Sequence, residues 1–196
     1  SAQDYSILRL PLNGELSDRT VRLVEQGVEA SERSDAVALL LELDLYGRDV
    51  ELALDVAELL ERSSVSVYAF VEGGAWDVGA LLAMAADSIF MSDNASLGAH
   101  DRAPMPDSTE RDGKQTSVAD LFADYAAAIG ARPELGRAMV DSSVVIRGVT
   151  DGTQRLTLGS QRAVEFGVAA AEVDNVEELL NKLEIADSRN RVVDDS

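Results

Sequence analysis

Residues 66–100, SVYAFVEGGAWDVGALLAMAADSIFMSDNASLGAH, decide the fold. The short apolar run Val67 to Val71 reads as a buried strand, and Gly73-Gly74 punctuate it as a turn. An apolar helical pattern follows through Val78, Leu81, Leu82, Met84 and Ala85, then a second short strand around Ile89 to Met91. Strand, glycine turn, buried helix and strand is the layout in which α/β enzymes present a reacting group at a helix N-terminus. The residue at that place is Asp77.

Working outward toward the N-terminus, Val50 to Leu60 carries a helical pattern whose Leu52, Val56, Leu59 and Leu60 can face a sheet. Before it, Ala36 to Leu43, AVALLLEL, is a near-continuous apolar run of strand length, as expected of a central parallel strand. Asp44 to Asp49 form the connection, with Gly47 as the permissive position. Ser17 is the expected N-cap of a helix to about Arg33 with Val21, Leu23, Val24 and Val28 on its apolar face. Tyr5 to Leu12 reads as the first strand, closed by an Asn13-Gly14 turn. Three successive strand–helix steps predict a layered α/β fold of βαβ units with right-handed crossovers and a largely parallel sheet.

Toward the C-terminus, Ala103 to Lys114 has two prolines, many charges and no periodicity, which predicts a surface loop. Thr116 to Ile129 resumes a helix capped by Thr116 or Ser117, and Pro133 opens another. Short strands are expected at Val144 to Val149, Thr153 to Leu158 and Ala170 to Val173, and helices at Gln161 to Phe166 and Val176 to Leu183. A single domain over residues 1–186 is predicted, with 187–196 as a polar tail or linker.

Composition bounds the function. The 196 residues contain no cysteine, which excludes disulfides and thiolate chemistry, and one histidine, His100, which restricts a Ser-His-Asp triad or a histidine metal site to that residue. A formal net charge of -19 repels nucleic-acid phosphates and anionic lipid headgroups, so no nucleic-acid partner is expected. Adaptation to high salt and simple solubility both account for such acidity. No apolar run approaches the ~20 residues of a membrane span, and no basic-apolar leader opens the chain. Membrane contact is therefore expected only through segments outside it.

The chain resembles the N-terminal protease domain of the membrane-associated NfeD-type proteins, whose fold is that of ClpP and the crotonases. The similarity runs from Tyr5 to about Val193 and is strongest at ALLAMAADSIFMSDNASLGA and LTLGSQRAVEFGVAAAEVDNVEELLNKL. The resemblance implies a Ser-Lys dyad, with the serine in an S-A-G segment that opens the buried helix and the lysine beyond a loop. Asp77-Val78-Gly79 matches the S-A-G segment, so Asp77 stands at the nucleophile position, and Lys114 matches the lysine. The family's oxyanion turn T-P-G-G corresponds to Leu45-Tyr46-Gly47-Arg48, and Gly73, Gly74, Val78 and Gly79 complete the oxyanion region. Tyr46, Trp76 and His100 are expected to line the cleft, His100 following Ser96-Leu97-Gly98-Ala99, which resembles the family's S-I-G-A turn.

These departures carry chemical weight. A Ser-Lys dyad needs a neutral hydroxyl whose proton the lysine removes before a covalent acyl-enzyme forms. A carboxylate at Asp77 instead favours an ion pair with Lys114, and Arg48 adds bulk where backbone amides would approach an oxyanion. The expectation is a catalytically degenerate protease domain that self-associates, as a homodimer or larger, and that still takes an extended hydrophobic peptide by β-augmentation. The resemblance also implies the extracytoplasmic side of a membrane. Two enzymatic readings stay open: a membrane-associated serine endopeptidase with a non-standard nucleophile, from among Ser92, Ser96 and Ser117, and a crotonase-like acyl-CoA enzyme. Asp77 itself reads either as an acid favoured in a helix's first turn or as a general acid–base. No cofactor is expected, and the spacing of Asp44, Asp49 and Asp77 predicts no metal site.

Overall fold

The computed structural model describes residues 7–100, 103–185 and 190–192. In chain order the elements are β1 (Ile7–Glu15), α1 (Asp18–Arg33), β2 (Ala38–Tyr46), α2 (Val50–Glu61), β3 (Ser66–Trp76), α3 (Val78–Met84), β4 (Ser88–Met91) and β5 (Ser96–Gly98). The hairpin β6 (Ser108–Arg111) and β7 (Lys114–Ser117) follows, then α4 (Val118–Ala128), α5 (Pro133–Ala138) and a second hairpin, β8 (Val145–Ile146) and β9 (Thr150–Asp151). β10 (Thr157–Gly159), α6 (Ser160–Glu165), β11 (Ala171–Glu172), α7 (Val176–Lys182) and β12 (Asn190–Val192) close the chain.

Eight strands form one sheet in the order β10-β5-β3-β2-β1-β12, with β4 and β11 continuing from the first half of β3. Every pairing is parallel except β10 with β5. This is the largely parallel α/β fold that the βαβ rhythm predicts. The first halves of its central strands are apolar on both faces because helices cover both there. Leu39, Leu41, Leu43 and Leu45 of β2, with Val67, Ala69 and Val71 of β3, point to a large core closed by α1 to α6. Ala38, Leu40 and Phe70 point the other way, against Leu179 and Leu180 of α7.

The structure departs from the expected boundaries where glycine and proline suggested turns. β1 runs on through Asn13-Gly14 to Glu15, paired residue for residue with β2. Its Pro11 is tolerated because β12 reaches only to Arg9, so beyond that point β1 is a sheet edge among the described residues. Gly73-Gly74 is not a turn either: β3 continues to Trp76 through a register shift in which Leu43 faces Val71 and Leu45 faces Ala75. The glycines there permit close approach. A Cβ on Gly73 would lie 2.8 Å from Asp44 Oδ1, and one on Gly74 would lie 2.0 Å from Trp76 Cζ2.

The charged stretch expected as a loop holds the β6–β7 hairpin, whose tip is Asp112-Gly113 with both residues at positive φ, 54° and 73°. An Asp-Gly pair of that conformation is a two-residue hairpin turn, and this signal was present in the sequence. Val144 to Val149, expected as one strand, is instead the first arm and turn of β8–β9. Of the predicted polar tail, Asn190–Val192 pairs in parallel with Ile7 to Arg9; its remaining residues, like Tyr5, lie outside the described residues.

Candidate functional site: an elbow closed by an ion pair

β3 enters α3 through a one-residue corner at Asp77, with φ 54° and ψ -115°. A positive φ on a residue with a Cβ is strained by an order of 1–3 kcal/mol and persists only where neighbours enforce it. Three backbone bonds do so: Asp77 N–H donates to Gly98 O (2.8 Å), Val78 N–H to Gly47 O (3.0 Å) and Ala80 N–H to Asp77 O (3.0 Å). Gly79 lets α3 pack down on β2, since a Cβ there would stand 2.2 Å from Leu45 O. A sharp strand-to-helix corner of this kind is how nucleophiles are exposed in α/β hydrolases.

At this corner the side chain is not exposed. Asp77 is buried, and its Oδ1 accepts from Arg155 Nη1 at 2.9 Å and from the His100 N–H at 3.5 Å. Arg155 also donates from Nη1 to Met139 O (3.4 Å) and from Nη2 to Ala103 O (2.7 Å). Its position is fixed from behind, because Leu156 N–H donates to Ala138 O (2.8 Å) and Leu156 O accepts from Ala99 N–H (2.9 Å). One guanidinium therefore ties the elbow, the Ala103 segment and the end of α5 together.

The structure corrects the partner expected for Asp77. Lys114 is exposed at the turn end of β7, opposite Arg111, and Arg155 supplies the cation at the elbow instead. Sequence reading missed Arg155 because it sits in TQRLTL as one basic residue in an apparent half-exposed strand; β10 begins only at Thr157. The usable signal was pairing, since a buried acid at Asp77 requires a buried base somewhere in the chain.

The other anticipated residues divide. His100 lies against Trp76 (ring centroids 5.1 Å apart) and Tyr46 (5.8 Å), the two other residues expected in the cleft. His100 lines a cavity of about 620 Å³ together with Val140, Ser142, Thr153, Arg155 and Thr157. Gly47, at φ 152°, stands beside the elbow, but its carbonyl takes the Val78 N–H, an amide expected in the oxyanion region. Arg48 lines a different recess with Pro106 and Thr109. Gly73 and Gly74 lie inside β3. Of the serines weighed as nucleophiles, Ser92 donates to Glu72 O (2.6 Å) and Ser117 caps α4 through the Asp120 N–H (3.3 Å). No group of three metal-ligating side chains occurs among the described residues.

Comparison with known proteins places this geometry. The model of the NfeD1b N-terminal domain matches residues 6–193. Membrane protein NfeD1b of Bacillus subtilis (strain 168) is 29% identical over 197 residues, which cover 91% of this chain and 44% of that protein. The chain thus spans less than half the length of that relative. Among solved structures, a mutant of the 1510-N membrane-bound stomatin-specific protease in complex with a substrate peptide superposes with a TM-score of 0.78 at 16% identity, covering 100% of this chain and 94% of that one. ClpP1 from Listeria monocytogenes superposes with a TM-score of 0.64 at 16% identity, covering 87% and 94%. The fold is therefore that of the ClpP-like proteases. No helix among the described residues is long and apolar enough to cross a membrane.

Proposed function

This chain belongs to the NfeD1b N-terminal domain family, and we propose that within it the chain is a catalytically degenerate ClpP-like domain, a self-associating scaffold whose cleft receives an extended hydrophobic peptide. One observation carries this reading: the elbow residue is a buried carboxylate paired with Arg155 at 2.9 Å. A guanidinium stays protonated in proteins and has no lone pair to accept a proton, so it cannot serve as the base of a dyad. The carboxylate it holds is buried in an ion pair rather than presented to the cleft. The Val78 amide, bonded to Gly47 O, is withheld from an acyl oxyanion, which counts equally against the peptidase and acyl-CoA alternatives.

Peptide capture needs none of this machinery, because strand addition uses main-chain hydrogen bonds and side-chain pockets. The structural relative that holds a substrate peptide motivates this part of the proposal. The relative described as a membrane protein supports membrane association through protein outside this chain, and the extracytoplasmic side is part of the proposal.

The test is chemical. The purified chain is treated with a fluorophosphonate probe, and cleavage of a hydrophobic decapeptide is followed by mass spectrometry. No serine is expected to be labelled and no fragments are expected, while the same peptide, fluorescently tagged, shows saturable binding by polarisation. Labelling of any serine, with cleft-lining Ser142 the first to inspect, overturns the degenerate reading. Light scattering that gives a monomer at all concentrations overturns self-association.

A further inference from the structure

A second cavity, of about 700 Å³, lies between the β8–β9 hairpin and α6 and shares Gln154, Arg155 and Thr157 with the cleft. Its wall carries two arginines, Arg147 and Arg162, against one carboxylate, Asp151, and is bordered by Arg155, whose guanidinium is already committed to Asp77. In a chain of net charge -19 such a local reversal stands out from the surface around it. Arg147 projects from the β8–β9 turn, closed by Val149 N–H donating to Ile146 O (2.9 Å) with Gly148 at φ 79°. Arg162 is pre-positioned, since one Nη donates to Val149 O (3.1 Å) and its guanidinium lies over the Phe166 ring at 5.2 Å. That leaves its remaining N–H groups for another acceptor. Asp151 competes weakly, because its Oδ1 already accepts from the Thr153 N–H (3.1 Å) and hydroxyl (2.6 Å).

The remainder of the wall is apolar in part. Ile146, Val149 and Leu156 line the cavity, and Val145 at its edge is 69% exposed. Planar guanidinium forks bind carboxylates bidentately, and adjoining aliphatic surface selects what is attached to them. We infer that this cavity binds the carboxylate of an aliphatic acid, the chemistry presented by a peptide C-terminus ending in an aliphatic residue and equally by a free short-chain acid. The inference is independent of whether the neighbouring cleft is catalytic.

The intact chain, isotopically labelled, is titrated in ¹⁵N–¹H spectra with acetyl-Ala-Ala-Val as the free acid, with its C-terminal amide, and with hexanoate. The free acid is expected to shift the Gly148, Thr150 and Thr157 amides saturably, with the amide weaker on the order of tenfold or more. Tighter binding of the tripeptide than of hexanoate identifies a peptide terminus as the source, and the reverse identifies a free acid. Arg147→Glu is expected to abolish the shifts while the rest of the spectrum stays in place, and Arg162→Gln to weaken them. Rising ionic strength weakens a charge-driven complex and leaves a purely apolar one unmoved. Equal binding of acid and amide, unchanged binding by Arg147→Glu, or no saturable shift with either acid overturns the inference.

Discussion

Arg155 Nη1 lies 2.9 Å from Asp77 Oδ1, and the two side chains are only 7% and 4% exposed. Each ion surrendered its hydration to reach this position, so each depends on the other. Removing one partner strands a buried charge at a cost of about 3–5 kcal/mol. Arg155→Met and Asp77→Asn are each expected to lower stability on that scale. The double variant should recover part of the loss, with a coupling of about 1–3 kcal/mol. Urea unfolding of the four proteins measures the cycle; strictly additive effects would show that the pair does not act as a unit.

Restoring a hydroxyl at the elbow should not restore an enzyme. Asp77→Ser places an alcohol beside a guanidinium that accepts no proton, while Lys114 remains exposed at the end of its hairpin. The variant is expected to react with a fluorophosphonate no faster than the unmodified chain, as read by intact mass. Stoichiometric labelling at position 77 would mean that some other group acts as the base.

Much of the architecture was legible because its signals are local and redundant. The apolar runs of β2 and β3, the cap at Ser17 and the choice of Thr116 or Ser117 before α4 marked their elements, and the sheet followed from their alternation. Glycine was misread where tertiary packing set its use: Gly73 and Gly74 accommodate Asp44 and Trp76 inside a strand, a demand that local sequence does not display. The corner at Asp77 was visible, and so was the need for a cation beside it. The identity of that cation was not, because Asp77 and Arg155 are 78 positions apart and meet through the antiparallel return of β10 onto β5. Loop register pointed to Lys114, and the hairpin formed by Asp112-Gly113 carries it elsewhere.

The elbow's geometry rests on α3 seated against β2, which Gly79 makes possible. An alanine Cβ would stand 2.2 Å from Leu45 O and 3.0 Å from Leu45 C, backbone atoms that cannot rotate away. Gly79→Ala is expected to cost about 1–3 kcal/mol as an overpacked contact, lowering Tm by about 3–10 °C in a chain of this size. Gly159→Ala provides the control, with nothing within 4 Å of its Cβ. Scanning calorimetry on both variants separates close packing from a general intolerance of alanine; equal effects would refute the role given to Gly79.

On the sheet face away from the large core, Arg9 donates to Glu42 from Nη2 (2.5 Å) and Nε (3.2 Å). Glu72 of β3 lies near both, and its carboxyl is raised above the usual carboxylate range by burial, then by Glu42 and Asp44, with Arg9 opposing. The folded chain therefore holds this proton to higher pH than the unfolded chain does. Stability from this group is fully present below the unfolded carboxylate pKa of about 4.3 and is lost as pH rises through the folded value, then levels off. Glu72→Gln should remove that falling segment and leave the protein slightly more stable at pH 7. The gain should be no more than about 0.5 kcal/mol, because Glu72 is an exposed residue whose carboxyl is only partly desolvated and solvent screens most of the interaction. Urea midpoints at half-unit steps from pH 4 to 7 test both parts. A variant less stable than the parent at pH 7 would mean that attraction to Arg9 outweighs repulsion from Glu42, and the pH slope would then belong to other carboxylates.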